Sequence, residues 1–345
     1  MVDAGTHTDR EMGLMNITKQ PRVYFANNYP VRQALGAWRQ GAYPGQHLWG
    51  TTALEAAGYE VVYSNFGGQE SALERVSRRM RGRVGNLAQE AEALRSHADV
   101  FYVADPRSLR LLARRHYVAP VVAIVHPTAP SPEQPATYKA VGRYKEVLCH
   151  SQHAYEEVLR IPGRSASNTS LLPWGPDLLF PGYTIHEDGG FVVAVGKTGR
   201  DYPVLREATE REKIPLRVHD GPQRPYVELL PDLQHAAVIA IPLQNPLAMN
   251  GLTELNDALA LSKPVVMTRS PTALDVDIEA IGCGIWVDVG DVDGWRRALS
   301  QLMSDAALRD RMGVAGRKFA EQGWNQQSYG ARVVEIVDRA RLVTS

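Results

Sequence analysis

Two cations follow directly on an apolar strand: in VGKTGRD (195–201), Lys197 and Arg200 come within five residues of the end of GFVVAVG (190–196). Cations at the end of a strand facing a cleft suit a diphosphate, because an ammonium supplies a point charge and a guanidinium a bidentate fork. The embedded GKT is not a P-loop. That pattern needs a glycine five residues before Gly196, where Phe191 sits inside the strand, so no loop is left to wrap a phosphate. No GxGxxG follows the first strand, which removes the main support for a nicotinamide dehydrogenase.

A second segment, NGLTELNDALALSKPVVMT (250–268), reads as a loop through Asn250, a helix beginning near Gly251, then a strand. A helix N-terminus presents free N–H groups and the positive end of a dipole, so Gly251, Leu252 and Thr253 are candidates to hold an anion. One turn in, the Asp257 carboxylate can accept from both hydroxyls of a ribose diol. Glu254 shares its face at i, i+3 and is a second candidate.

Two further histidines stand at positions where chemistry can be done. His126 ends the apolar run PVVAIVHP (120–127), and His47 follows the turn at Gly45. Cys149, His150 and His153 look like metal ligands, but strand alternation throws Cys149 and His150 to opposite faces and no fourth ligand is evident. Arg75, Arg78, Arg79, Arg81 and Arg83 read as a solvated face, with a dock for an anionic molecule or weak peripheral membrane contact as the sharper alternative.

The elements that must position these residues are short apolar strands alternating with helical stretches, the pattern of βαβ units in parallel sheets. Strands are expected at 22–28, 60–66, 99–105, 120–127 and 146–151, and again at 190–196, 215–221, 236–242, 264–268 and 284–289. Helices fit 46–57, 84–96, 106–115 and 152–160 in the first series, and 201–212, 227–234, 251–262 and 292–303 in the second. The Pro- and Gly-rich stretch 171–190 between the two series reads as a linker, and 305–341 as terminal helices. The expected division is a disordered 1–20, a first domain over 21–183, a second over 184–325, and a C-terminal helix, 326–345, packing back on the first domain.

Composition agrees with this scheme and narrows the partners. The 345 residues exceed the roughly 250–300 at which single cores stop growing, which favours two domains. Lys plus Arg and Asp plus Glu number 38 each, so there is no basic excess for a nucleic-acid coat. Two cysteines cannot build a disulfide framework, and no apolar run approaches the roughly 18–20 residues of a membrane span. The N-terminus lacks the apolar core of a secretory signal, and cytoplasmic localisation is the expectation.

The residues together resemble the GT-B glycosyltransferases of the family-4 type, the retaining "glycosyl transferases group 1". Asp257-Ala258-Leu259-Ala260-Leu261-Ser262-Lys263-Pro264-Val265 matches the family's Glu-Ala-Met-Ala-x-Gly-x-Pro-Val, so Asp257 stands where the ribose-binding Glu is expected. PGQHLWGTTALEAAGYEVV (44–62), VLCHSQHAYEEVL (147–159), LLPWGPDLLF (171–180), LPDLQHAAVIAIP (230–242) and GVAGRKFAEQGWNQQSYGARVVEI (313–336) resemble further family segments in order and spacing. The resemblance covers nearly all of 21–340. It implies two Rossmann-like parallel-sheet domains facing across a cleft, and transfer of a sugar with retention from a nucleotide-diphosphate donor to a natural-product, lipid or glycan acceptor. His126 then faces the donor sugar, with Arg200 as a second catalytic residue, and Gly45 and His47 stand on the acceptor side. Lys197, Arg200 and the Gly251–Thr253 amides hold the diphosphate, with Met249, Asn250, Glu254 and Asp257 as further donor-binding residues. On the same resemblance 21–183 is the acceptor-side domain and 184–325 the nucleotide-sugar-binding one. No metal or other cofactor is required, and a homodimer is compatible. The chain departs from the family at Met249, which occupies the place of a Glu eight residues before Asp257. This keeps two alternatives open: a degenerate GT-B subunit that binds a nucleotide sugar without turnover, and a GT-B-like nucleotide-sugar epimerase.

Overall fold

The computed structural model describes residues 20–68, 71–80, 85–114, 119–126, 134–221, 224–248, 250–273 and 275–342. The expectations placed on residues 1–19, on Arg81 and Arg83, on Met249 and on 343–345 lie outside the described residues.

Strands β1 (Arg22–Ala26), β2 (Glu60–Tyr63), β3 (Val100–Val103), β4 (Val121–Val125), β5 (Glu146–Cys149) and β6 (Thr169–Leu171) form one parallel sheet in the order β2-β1-β3-β4-β5-β6. Strands β7 (Val192–Val195), β8 (Leu216–His219), β9 (Val238–Ile241), β10 (Val265–Thr268) and β11 (Gly284–Val287) form a second, in the order β11-β10-β9-β7-β8. These are two Rossmann-like halves, divided between Leu171 and Val192.

The apolar runs form strands because both sheet faces are covered, so each strand can be hydrophobic throughout. Alternation then sends successive side chains to different cores. Val23 and Phe25 enter a core that continues through Trp174, Phe180 and Tyr183 of the linker to Val193 and Val195. Tyr24 and Ala26 point into a separate core on the far face of the first sheet, and Val192 and Ala194 into one on the far face of the second.

The structure differs from the sequence expectation in several connecting segments. Residues 46–57 are not one helix: a 3-10 turn, Gly45–Leu48, is cut from helix Thr51–Ala56 by left-handed Trp49 (φ 54) and Gly50 (φ 78). Residues 106–114, the described part of the expected helix 106–115, make turns and one 3-10 turn, Leu112–Arg114. There Glu90 accepts from the N–H groups of Leu111 and Leu112, and Asp105 from that of Arg107, so side chains do the work of helix carbonyls. Strand β6 and helices Val31–Arg39, Ala72–Arg79 and Gln134–Val141 are additional elements.

The last helix, Gln326–Leu342, leaves the second half and packs on helix Thr51–Ala56 and on β3 and β4. In each sheet the order reverses beside the first strand: β1 lies between β2 and β3, and β7 between β8 and β9. Crevices at the carboxyl ends of strands at such reversals are where open parallel sheets bind ligands. Among the described residues, no helix is long and apolar enough to cross a membrane.

Candidate active site

At the β7/β9 reversal the chain leaves β7 through Gly196 (φ 99) and Gly199 (φ 65), two left-handed positions that turn it back within five residues. The turn is stitched to the end of β9: the Gln244 N–H donates to the Gly199 carbonyl at 2.9 Å, and the Asp201 N–H to the Pro242 carbonyl at 3.0 Å. Gly251 (φ 86) opens helix Leu252–Ala260 without a side-chain cap, which leaves the first-turn N–H groups free of a capping partner. A side chain at Gly251 would meet Ile241 Cγ2 at 2.7 Å, so the helix start is pressed against β9. Gly199 in turn lies under the Asn250 amide, 2.8 Å from where a Cβ would stand. Lys197, Arg200 and the 250–254 helix start are thereby brought into one place.

Within it the two cations are not equivalent. Lys197 is exposed. Arg200 is buried and donates to Glu254 Oε1 at 2.6 Å, to the Thr198 carbonyl at 2.7 Å and to the Val195 carbonyl at 3.3 Å. Its fork is therefore engaged by the protein, and the cation that the turn offers to solvent is Lys197. Gly196 is a condition of this pair, since a Cβ there would fall 2.2 Å from Glu254 Oε1.

One turn further, Asp257 is 1% exposed, and its Oδ1 accepts from the hydroxyls of Tyr183 and Tyr226, each at 2.7 Å. Burial pushes its carboxyl up to about 7, against the two phenol hydrogen bonds, while the Glu254 charge adds to the rise. Tyr183 also accepts from Gln46 Nε2 at 2.9 Å. Gln46 is buried, and its remaining groups are tied to the linker: Oε1 accepts from the Asp177 N–H at 2.8 Å and its carbonyl from Trp174 Nε1 at 2.9 Å. Gly45 adds its own N–H to Asp177 Oδ2 at 2.9 Å. The turn of the first half is thus laced through the linker to the helix carrying Asp257.

Aromatic rings fill the space beside this lacing. Trp49 and Trp174 stack with centroids 5.0 Å apart, His150 stacks on Trp49 at 5.5 Å, and His126 lies 5.2 Å from His150. His47 stacks on Tyr43 at 4.7 Å. Burial pulls His47 and His126 down to about 4. Burial, with His126 alongside, takes His150 to about 3. All three are neutral imidazoles near pH 7, fit to donate or accept a hydrogen bond but not to carry charge. His47 Nε2, His126 Nδ1 and His150 Nε2 are buried without a partner among the described residues.

The sequence reading brought Gly45 and His47 to this region but passed over Gln46, Tyr183 and Tyr226. No local pattern marks them, since their roles arise from contacts 31–137 positions away in the chain. His150 was weighed as a metal ligand; among the described residues no such group of His, Cys, Asp and Glu side chains converges.

No protein-family model matches the chain. Over 95% of its length it superposes on the whole of sucrose-phosphate synthase from Thermosynechococcus elongatus, with a TM-score of 0.66 at 14% identity. Anabaena HepE, solved in complex with UDP, gives 0.63 at 13% identity over 92% of this chain and all of its own. The chain has the GT-B fold. The β7/β9 turn follows the carboxyl end of β7, and the Asp257 network joins helix Leu252–Ala260 to the linker and to the Gly45–Leu48 turn. In sequence, an 85-residue stretch is 35% identical to GDP-mannose-dependent alpha-(1-6)-phosphatidylinositol monomannoside mannosyltransferase of Mycolicibacterium smegmatis. That stretch is 25% of this GT-B chain and 22% of the mannosyltransferase. The chain also spans 58% of the length of TarM, a further structural match with a TM-score of 0.59 at 11% identity.

Proposed function

We propose that this GT-B protein is a glycosyltransferase that moves a sugar, with retention, from a nucleotide-diphosphate donor to an acceptor hydroxyl. The observation that carries the reading is the juxtaposition, at the reversal point of the second sheet, of exposed Lys197 with the uncapped helix start at Gly251–Thr253. A diphosphate leaving group needs that combination of a cation and free N–H groups. The UDP complex of HepE and the mannosyltransferase stretch add weight from proteins of similar fold or sequence.

In this reading Lys197 and the 251–253 amides take the diphosphate, Asn250 and Met249 are further donor-binding residues, and Arg200 supports the site from within the protein. Glu254 and Asp257 are the ribose candidates. Neutral His126 faces the donor sugar. Retention follows from the family resemblance, and its route is not a two-step displacement: Glu254 is paired with Arg200 and Asp257 is covered by two phenols, so neither stands ready as the nucleophile. The leaving diphosphate then deprotonates the acceptor on the same face. The cations and amides take the place of a divalent metal, so turnover should survive EDTA.

The same commitments of Arg200 and Asp257 favour a second reading, a subunit that binds a nucleotide sugar without turnover. A thermal-shift panel of UDP, GDP, ADP and TDP tests the shared element: at 100 times its dissociation constant a ligand adds about 2.7 kcal/mol of stability. No response to any of them refutes both readings. Release of free sugar from the matching donor separates an enzyme from a binding subunit.

A further inference from the structure

Away from the β7/β9 turn, on the linker side of Gly45, a pocket of about 300 Å³ opens where three separate segments meet. Trp38 and Thr52 line it from the first half, Asp177 from the linker, and Gln326 and Gln327 from the start of the last helix. Its volume is at the lower end for small-molecule sites. Gly45 keeps it open, for a Cβ there would lie 2.7 Å from Asp177 Oδ2 and 3.0 Å from Trp38 Nε1.

The lining indicates what would bind. Among the described residues lining it there is no Lys, Arg or His to attract an anion. Its one carboxylate is already committed: Asp177 Oδ2 accepts from the Gly45 N–H at 2.9 Å, and Oδ1 from the Leu179 N–H and Gln327 Nε2, each at 3.2 Å. That leaves little to recruit a cation. Gln326 is a different matter. It is 6% exposed, and its Oε1 is buried with no hydrogen-bond partner among the described residues. An orphaned buried acceptor carries a desolvation cost that a ligand O–H or N–H would remove. An indole, a threonine hydroxyl and two primary amides, one of them with an unsatisfied acceptor, suit a neutral molecule with an apolar ring face and several hydroxyls.

We propose that this pocket is a binding subsite for a neutral sugar ring. It stands independently of the donor reading, because the lining of this pocket and not the β7/β9 turn carries it. The ring would lie against Trp38 and give a hydroxyl proton to Gln326 Oε1. Because linker, first half and last helix all contribute, occupancy would tie the three together.

The test uses the full chain labelled with 15N, without nucleotide, and methyl α-D-glucopyranoside as probe. The six tryptophans give separate indole N–H signals, with Trp38 assigned by its loss in Trp38→Phe. A saturable shift of the Trp38 signal is expected, while that of Trp295, buried in the far core of the second half, stays in place. Gln326→Met, which keeps the length of the side chain and removes the acceptor, should weaken binding about tenfold, the scale of one buried hydrogen bond. If Gln326→Met disturbs the Trp295 signal, Thr52→Val serves as the second deletion. An unmoved or unsaturable Trp38 signal in the wild type, or undiminished binding in a folded deletion variant, overturns the proposal. Sodium phosphate in place of the glycoside should leave Trp38 unmoved, and a saturable shift with it would equally refute a neutral ligand. A failed nucleotide panel would leave this result untouched.

Discussion

The guanidinium of Arg200 and the carboxylate of Glu254 meet at 2.6 Å, with side chains 5% and 7% exposed. A buried pair of this kind is costly to break from one side, because the surviving charge has no water to turn to. Glu254→Ala should therefore destabilise the fold by about 3–5 kcal/mol, measured by urea unfolding. The double variant with Arg200→Met should recover much of that loss. If the two single changes simply add, the pair is not the coupled unit described here.

Lys197 makes the opposite prediction. As an exposed side chain, its replacement by Ala should move stability by no more than about 0.5 kcal/mol. Affinity for the nucleotide diphosphate found in the thermal-shift panel should fall about tenfold, and its salt dependence should flatten. Calorimetric titration at two ionic strengths reads both. Unchanged affinity would take Lys197 out of the phosphate site.

Gly196→Ala should cost at least about 2 kcal/mol, combining a positive φ with a Cβ driven into the Arg200–Glu254 pair. In a Glu254→Ala background the clash with Glu254 Oε1 disappears while that with the Arg200 guanidinium, at 2.7 and 2.9 Å, remains, so the same substitution should cost somewhat less there. Equal costs in both backgrounds would leave no share for the Glu254 contact and assign the effect to backbone strain and Arg200.

The buried titratable groups predict how stability follows pH. His47, His126 and His150 titrate well below the ordinary histidine value in the folded protein, so the unfolded chain takes up three protons that the native state refuses between about 4 and 6.5. Their contribution is complete above 6.5 and is lost as pH falls through that window. Asp257 has the opposite sign: its folded carboxyl holds a proton up to about 7, so its contribution is complete below the unfolded value near 3.8 and is lost as pH rises to 7. Three protons against one leave a net rise of about two protons' worth between pH 4 and 6.5, at about 1.4 kcal/mol per proton per pH unit, then a shallow decline to 7. Asp257→Asn should abolish the decline and steepen the rise. Urea unfolding at half-unit steps would show it, and a monotonic wild-type rise through pH 7 would refute the Asp257 assignment.

What the residues announced in advance and what they withheld divide along a physical line. Runs such as VVAIV and FVVAVG proclaim buried parallel strands, because both faces of the sheet are covered, and turns at Gly196 and Gly251 follow from local conformational demand. The loop that carries Lys197 and the helix start at Gly251 were legible for the same reason. The partners of Asp257 were not: Tyr183 belongs to the linker and Tyr226 to another helix, and nothing in the neighbourhood of either hints at the carboxylate. The mistaken helix over 106–115 has a similar origin, since Glu90, from the preceding helix, supplies acceptors that no local pattern can foresee. Strand β6, at three residues, is too short to display any period.

The last helix, Gln326–Leu342, belongs to the first half by packing but to the second by position in the chain. Val333, Ile336, Val337 and Ala340 have no exposed surface, and the helix covers β3, β4 and helix Thr51–Ala56. During synthesis the half that emerges first must hold that apolar surface open until more than 150 further residues have been added. Maturation is thereby ordered in time. The earlier half waits, exposed to chaperones and proteases, for helix Gln326–Leu342 to seal it.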